Sequence, residues 1–302
     1  MGLNRRDFLG IAAAGSAALV TGASKAHSES EEAFDCQETY GVLVDTVTCI
    51  GCRKCELACN REHDLVQCDA AVFDDKSVFN RHRRPDEDAF TVVNKFVDPG
   101  KPEKTNTIKV QCMHCNHPAC VSACIVGAME KTAAGPVTYD AWKCIGCRYC
   151  MIACPFQVPA YQYDNALDPQ VRKCTFCHER VATEGRVPAC VEICPNEALR
   201  FGRREDLIAA AHAKIRDYPE RYFDHVYGEH EVGGTSWLYL SPVDFKHTEL
   251  PKLDSEPVAK RTEKIQHGIF KSFVPPVALY GLLGLIMYSL RDRGESQEVD
   301  HE

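Results

Sequence analysis

The stretch that decides the fold lies at residues 144–155 and reads CIGCRYCMIACP. Its four cysteines have the spacing C-x2-C-x2-C-x3-C, and a proline follows the last one. This spacing is typical of ligands to a [4Fe–4S] cluster. Three thiolates on a tight loop bind three irons of one cubane, and the fourth points away toward a cluster held by a partner motif. The stretch therefore predicts an iron–sulfur site that needs a second motif.

The chain contains three more cysteine motifs. The motif at 49–60 reads CIGCRKCELACN and repeats the stretch at 144–155 closely. The other two motifs share the sequence PACV, at 118–121 and again at 188–191. The chain therefore holds two copies of a two-motif unit, which indicates a duplication rather than a chance spacing. The motif cysteines are Cys49, Cys52, Cys55, Cys59, Cys112, Cys115, Cys120, Cys124, Cys144, Cys147, Cys150, Cys154, Cys174, Cys177, Cys190 and Cys194.

The composition is that of an ordinary globular protein. The 302 residues include 26% charged and 45% hydrophobic residues, and the formal net charge is -8. These values exclude a disordered chain, and the acidic balance argues against a nucleic-acid partner. All but two of the 18 cysteines belong to the four motifs, and four thiolates bind each cubane. The sequence therefore predicts four [4Fe–4S] clusters.

Other uses of these residues remain open at this point. Zinc sites pair two C-x2-C units and have no use for the third and fourth cysteines of each motif. Disulfides are disfavoured because cysteines three apart on one loop are poor partners. A structural or zinc-storage module without redox activity is therefore the weaker alternative. Cys36 and Cys68 lie outside the motifs, and we interpret them as buried thiols or as one disulfide. His114, His117 and His178 are expected to tune or hydrogen-bond cluster sulfur rather than bind metal.

The linkers between the motifs predict which motifs share clusters. Residues 127–140 contain two short strand-like segments around an Ala-Gly turn, which predicts a β-hairpin between motifs two and three. Strands at 42–44 and 198–201 are expected to pair and so to join motifs one and four. Each pair of motifs then binds two clusters, and we name the ligand sets quartets 1 to 4. Quartet 1 is Cys49, Cys52, Cys55 and Cys194; quartet 2 is Cys59, Cys174, Cys177 and Cys190; quartet 3 is Cys112, Cys115, Cys120 and Cys154; quartet 4 is Cys124, Cys144, Cys147 and Cys150.

The rest of the chain predicts a few further elements. Residues 60–111 form a long insertion between motifs one and two, with a strand at 90–97 and a basic run at 81–84 that we interpret as a solvated face. An amphipathic helix is expected over 204–216 and a strand over 237–240. The sequence contains no glycine-rich dinucleotide loop. We therefore expect an electron carrier without a catalytic site of its own.

Both ends of the chain carry apolar segments. Residues 1–26 contain an Arg-Arg pair, an uncharged Ala- and Gly-rich run and a small-residue cleavage site, which predict a twin-arginine export signal, with an ordinary secretory signal as the alternative. Residues 273–290 carry no charge, so we predict a transmembrane helix rather than a buried one. The predicted fold class is α+β: two ferredoxin-like dicluster units in one chain, with a C-terminal transmembrane helix. The predicted domains are the signal peptide at 1–26, a linker at 27–38, a four-cluster ferredoxin-like domain at 39–205 (insertion 60–111), a C-terminal extension and strap at 206–268, a transmembrane anchor at 269–291 and an acidic tail at 292–302.

The four motifs resemble those of the electron-transfer (β) subunits of complex iron–sulfur oxidoreductases. This family includes subunits of formate dehydrogenase, dimethyl sulfoxide reductase and tetrathionate reductase. The resemblance covers residues 49–194 and implies the same motif pairing, and all sixteen ligand positions are cysteine here. The two ends, together with ELPKLD at 249–254 and EKIQH at 263–267, are similar to those of hydrogenase-linked iron–sulfur subunits.

This resemblance implies a role, a place in the cell and partners. The chain is expected to be a non-catalytic subunit on the periplasmic side of the inner membrane, exported by the twin-arginine route and held by a single-pass C-terminal anchor. Its expected partners are a [NiFe] hydrogenase and an integral membrane subunit that reacts with quinone. The alternative is the β subunit of a molybdopterin oxidoreductase, such as formate dehydrogenase or a sulfur-oxyanion reductase.

Overall fold

The computed structural model describes residues 39–260 and 280–287. The predicted signal peptide at 1–26, the linker at 27–38 and the acidic tail at 292–302 lie outside these residues. Short helices and strands alternate along the described chain, which gives a mixed α/β structure.

The bounds of these elements are as follows. The strands are β1 (Tyr40–Asp45), β2 (Thr91–Asp98), β3 (Lys101–Gln111), β4 (Met129–Lys131), β5 (Val137–Tyr139), β6 (Ala160–Tyr161), β7 (Val171–Arg172), β8 (Leu199–Arg203) and β9 (Trp237–Leu240). The α-helices are α1 (Lys54–Glu62), α2 (Ala70–Asp74), α3 (Ala119–Ser122), α4 (Tyr149–Ala153), α5 (His178–Glu184), α6 (Ala189–Glu192) and α7 (Arg204–Asp217). Single-turn 3-10 helices lie at Ser77–Asn80, Ala141–Lys143, Glu231–Gly233 and Phe245–His247.

The largest sheet has β1 at its centre, in the order β8-β1-β9. Strand β1 is antiparallel to β8, with Val42 opposite Phe201, and parallel to β9, with Val42 opposite Trp237. The predicted pairing of β1 with β8 is thereby confirmed, whereas the parallel neighbour β9 was not expected. Side chains alternate between the two faces of a strand, so Val42 and Val44 join one core cluster and Leu43 joins another.

Helix α7 covers one face of this sheet. Its Leu207, Ala211 and Ile215 lie four residues apart on one side of the helix and are buried with Leu43 and Leu238. The periodicity that predicts an amphipathic helix here is confirmed. The opposite face of the sheet packs against the cysteine motifs, where its side chains share a core cluster with Cys59, Cys112, Cys174 and Cys190.

The loops of motifs one and three have the same backbone geometry. Gly51 and Gly146 have φ angles of 65° and 71°, and the arginines two residues later, Arg53 and Arg148, have φ angles of 64° and 62°. Glycine adopts this left-handed region without steric cost. Each arginine directly precedes a helix, α1 or α4. The two motifs that repeat in sequence therefore also repeat the same backbone conformation.

Two hairpins complete the scaffold around the motifs. Strands β4 and β5 pair antiparallel, with Met129 opposite Tyr139, which confirms the hairpin predicted between motifs two and three. Strands β2 and β3 form a longer hairpin within the insertion, with Thr91 opposite Gln111. The strand expected at 90–97 is therefore confirmed, but its long partner was not expected.

The interpretation of the basic run 81–84 as a solvated face is wrong for Arg83. Glu56 on α1 is 3% exposed, and a buried carboxylate needs partners. Its Oε1 accepts from Arg83 at 2.7 Å and from the backbone N–H of Val93 at 2.7 Å, and its Oε2 accepts from Arg53 at 2.9 Å. The arginine therefore joins the insertion to the first cysteine motif.

The prediction of a C-terminal transmembrane helix is wrong for the part of the chain that the structure describes, because no helix there is long and apolar enough to cross a membrane. The described part of that segment is helical over 280–287. The other residues of the predicted anchor at 269–291 lie outside the described residues.

Candidate iron–sulfur centres

The four thiols of quartet 1 line one cavity beside β1. Apolar side chains such as Val44 and Leu199 form its walls, and the side chain of Lys109 also lines it. The hydroxyl Oγ1 of Thr107 donates to Cys49 Sγ at 3.2 Å. The structure therefore brings together the thiols that the sequence assigns to one cluster, in apolar surroundings.

The four thiols of quartet 4 line a second cavity, between the β4–β5 hairpin and α4. Met129 and Val171 contribute apolar surface to it. The backbone N–H of Ala128 donates to Cys124 Sγ at 3.1 Å. Cys147 is exposed, unlike the thiols of the other cavities. This quartet therefore lies at the protein surface.

The members of quartets 2 and 3 are identified as neighbours because the charges of their thiolates interact. Burial raises the pKa of the Cys59 thiol well above its ordinary value, and the negative charges of the other three thiolates of quartet 2 raise it further. The same two causes, in the same order, raise the pKa of Cys115 in quartet 3. Each of these thiols therefore lies close to the other three members of its predicted set.

Electrostatic interactions between thiols of different quartets indicate which quartets are neighbours. In each of three cases a thiolate of one quartet raises the pKa of a thiol in the neighbouring quartet, in addition to the larger effect of burial. The pairs that link quartet 1 to 2, 2 to 3 and 3 to 4 are Cys55 with Cys190, Cys174 with Cys112, and Cys120 with Cys150. The quartets therefore follow one another as 1-2-3-4.

The donor set fits [4Fe–4S] clusters. Every cysteine of the described chain is a free thiol. Within residues 39–260 and 280–287, no group of three or more His, Cys, Asp or Glu side chains is arranged to hold a single metal ion. Thiols with a raised pKa carry protons at neutral pH, and metal binding replaces those protons. Quartets 1 and 4 each place four thiols around one cavity, and four thiolates are what a cubane requires.

Three polar side chains near the thiols were not singled out in the sequence. Thr107 and Lys109 lie in β3, shortly before motif two, and His63 follows α1, with its Nε2 at 3.9 Å from Cys177 Sγ. Their closeness in sequence to a motif is the only signal that could have found them. Strand alternation shows which side chains share a face, but not which side chains are close to a cysteine from elsewhere in the chain.

His114, Cys68 and Cys36 were singled out in the sequence but do not belong to the ligand sets. His114 is fully buried, and its Nδ1 accepts a hydrogen bond from the backbone N–H of Val137 at 2.8 Å. Cys68 is a free thiol that donates to the Leu65 carbonyl at 3.1 Å. Cys36 lies outside the described residues.

Known proteins match both the centre and the full length of this chain. A family model of the 4Fe-4S dicluster domain matches residues 104–204. The hydrogenase-2 operon protein HybA of Escherichia coli O157:H7 is 33% identical over 339 residues, which covers 99% of this chain and 100% of that protein. A protein of Nitratidesulfovibrio vulgaris is 47% identical, over 99% of this chain and 80% of that protein. The formate dehydrogenase-O iron-sulfur subunit of Escherichia coli K12 is 32% identical, over 86% of this chain and 84% of that protein.

The cysteine motifs, the cavities and these matches define an electron-transfer iron–sulfur subunit with multiple [4Fe–4S] clusters as cofactors. Its relatives are iron–sulfur subunits of oxidoreductase complexes. The chain belongs to the family of iron–sulfur subunits that includes HybA and the iron–sulfur subunits of formate dehydrogenases.

Proposed function

We propose that this chain relays electrons between a [NiFe] hydrogenase and an integral membrane subunit that reacts with quinone. The observation that supports the relay is a series of four thiol quartets, in which each quartet has a thiol close enough to the next for their charges to interact. A cluster in each quartet accepts one electron and passes it on. Neighbouring clusters in such a series exchange single electrons without any substrate chemistry in this chain.

In this proposal the sixteen motif cysteines are the ligands of four clusters, in the four sets named above. The chain's own residues do three things at each cluster. The thiolates hold it, apolar side chains cover part of its surface, and hydrogen-bond donors to sulfur stabilise the extra negative charge of the reduced state. Thr107 at Cys49 and the Ala128 N–H at Cys124 are two such donors.

The choice of partner follows from the relatives. HybA is matched over its whole length and is named for a hydrogenase-2 operon, which supports a hydrogenase as the electron donor. A second candidate is a molybdopterin oxidoreductase such as formate dehydrogenase. The identity to the formate dehydrogenase-O subunit, 32% against 33% for HybA, favours it almost as strongly, but over a smaller share of that protein.

The proposed location is the periplasmic side of the inner membrane, with export by the twin-arginine route. Arg5 and Arg6, followed by the uncharged run, support this proposal. Twin-arginine export carries folded proteins, which suits a chain that acquires its clusters before export. We propose that 1–26 is the signal, that the clusters lie within 39–205, and that 206–268 forms a C-terminal extension and strap after them.

Purification of the native complex under anoxic conditions tests the partner. The full-length chain carries an affinity tag and is purified from membranes in mild detergent, with an untagged strain as the control. The eluate is assayed for dye reduction with hydrogen and, separately, with formate. Hydrogen-dependent activity supports the hydrogenase, formate-dependent activity supports the second candidate, and neither activity in an eluate that contains the chain would refute both.

A further inference from the structure

Lys109 in strand β3 is a buried lysine between quartets 1 and 2. The residue is 2% exposed and lines the cavity of quartet 1. The ammonium lies over the Trp237 ring, and that ring packs against Phe176 at 5.9 Å between centroids. Phe176 belongs to the loop of quartet 2, where its backbone N–H donates to Cys174 Sγ at 3.4 Å. One ammonium group therefore lies near two neighbouring quartets at once.

The surroundings of this ammonium lack a carboxylate partner in the part of the chain that the structure describes. Its Nζ donates to Gln111 Oε1 at 2.9 Å and lies 4.4 Å from the centre of the Trp237 ring. Gln111 Nε2 in turn donates to the Tyr239 hydroxyl at 2.6 Å, and that hydroxyl donates to the Lys109 carbonyl at 2.9 Å. These contacts fix the side chain in place but are all with neutral groups.

A buried charge is costly unless an opposite charge compensates it. An amide oxygen and an aromatic ring do not supply a full negative charge. The negative charge closest at hand is that of the thiolates themselves. Four thiolates around a cubane give the whole centre a net negative charge, which grows by one when the cluster takes up an electron.

We propose that Lys109 is the shared counter-charge of the clusters in quartets 1 and 2 and raises the reduction potential of both. This inference rests on the ligand sets of the proposed function. A fixed positive charge stabilises the more negative, reduced state of a nearby cluster more than its oxidised state. Because one charge serves two clusters, it moves both potentials in the same direction. Lys109 therefore acts on the clusters through its charge and does not bind them as a ligand.

Redox titration of the anoxic, cluster-loaded complex, followed by electron paramagnetic resonance, tests this role. The variants Lys109→Met and Lys109→Gln remove the charge, and Lys109→Arg keeps it. Lys104→Met removes a lysine charge from the exposed part of the same strand and is the matched control. The readout is the midpoint potential of each cluster, with dithionite as the electron source, and it does not depend on enzymatic activity.

We expect the neutral variants to make reduction of two of the four clusters about tenfold less favourable, which is a fall of roughly 59 mV for a one-electron couple. Lys109→Arg and Lys104→Met should leave all four potentials near the wild-type values. Unchanged potentials in Lys109→Met and Lys109→Gln would overturn the inference. A wild-type complex without four titrating clusters would instead overturn the proposed ligand sets.

Failure of a variant to assemble is also informative. Loss of iron from both neutral variants, with full iron content in Lys109→Arg, supports a counter-charge that cluster assembly needs. Loss of iron from all three variants would overturn the inference, because the shape of the side chain and not its charge would then be what the site requires.

Discussion

Replacement of Asp45 by asparagine is expected to destabilise the protein at the end of β1. Asp45 is 2% exposed. Its Oδ2 accepts from Lys214 Nζ at 2.7 Å and from the Tyr222 hydroxyl at 2.8 Å. Its Oδ1 accepts from the backbone N–H groups of Val47 and Thr48 at 3.0 and 3.2 Å. One carboxylate therefore joins the central strand, helix α7 and the loop that leads into motif one.

The expected loss follows from this geometry. Removal of one partner from a buried ion pair costs about 3–5 kcal/mol. Because the Lys214 side chain is 30% exposed, its ammonium regains water, and we take the lower end, about 3 kcal/mol. An asparagine keeps one oxygen for the loop but turns an NH2 group toward two donors. About 1 kcal/mol moves the Tm of a domain of this size by roughly 2–4 °C, so we expect a fall of about 6–12 °C.

The pH dependence of this loss has a definite sign. Burial raises the pKa of Asp45, but the hydrogen bond and charge of Lys214, together with hydrogen bonds from Tyr222 and Thr48, outweigh it and hold the pKa below its ordinary value. The contribution of such a carboxylate is complete above its ordinary pKa and is lost only as the pH falls through the lowered value. The difference between wild type and Asp45→Asn should therefore stay constant from about pH 5.5 to about 8.

Thermal melts at one scan rate, under anoxic conditions, measure the effect, since unfolding of a cluster-containing chain is irreversible. Asp217→Asn is the matched control, because that side chain is 58% exposed at the end of α7. An exposed substitution of this kind stays within about 0.5 kcal/mol, or roughly 1–2 °C. A melt of Asp45→Asn within the range of this control would refute the reasoning, and so would a difference that grows between about pH 6 and about 8.

Three further substitutions test the candidate centres. Cys147→Ser removes the exposed ligand of quartet 4, and iron and sulfide content should fall by about a quarter, whereas Cys68→Ser should keep the full content; equal contents would count against the ligand set. Thr107→Val removes the hydroxyl that donates to Cys49 Sγ. The midpoint reduction potential of one cluster should then fall by roughly 20–60 mV, the equivalent of ~0.5–1.5 kcal/mol, and an unchanged redox titration would contradict this. Gly51→Ala places a Cβ 2.7 Å from Thr107 Cγ2 at a φ of +65°, which costs about 1–3 kcal/mol of strain. Chelators should therefore remove iron from this variant faster than from wild type, and an equal rate would disprove the strain.

The local parts of the fold could be predicted because their causes are local. The loops at Gly51 and Gly146 follow from a repeated sequence whose glycines accept left-handed geometry. The β4–β5 hairpin and helix α7 follow from turn residues and from side-chain periodicity within one segment. The pairing of β1 with β8 was also predicted, because these were the strands that remained to join motifs one and four.

Contacts between distant segments were beyond sequence reasoning. Strand β9 lies parallel to β1 although nearly two hundred residues separate them, and nothing in Trp237–Leu240 alone states which strand it joins. Arg83 sits in a basic run whose composition is typical of solvated surface, yet it pairs with the buried Glu56. An uncharged run near the C-terminus predicted a membrane span, but no helix of the described residues is long and apolar enough to cross a membrane.

The sequence by itself determined the chemistry of this protein, because the number, identity and spacing of cluster ligands are properties of the chain as written. It also determined the duplication, and the linkers between the motifs predict how the cysteines group into quartets. Only the tertiary structure decided the order of the quartets and the burial of Lys109 between two of them. Both depend on which side chains from separate segments come within a few ångströms of each other, and that depends on packing, which no single segment encodes.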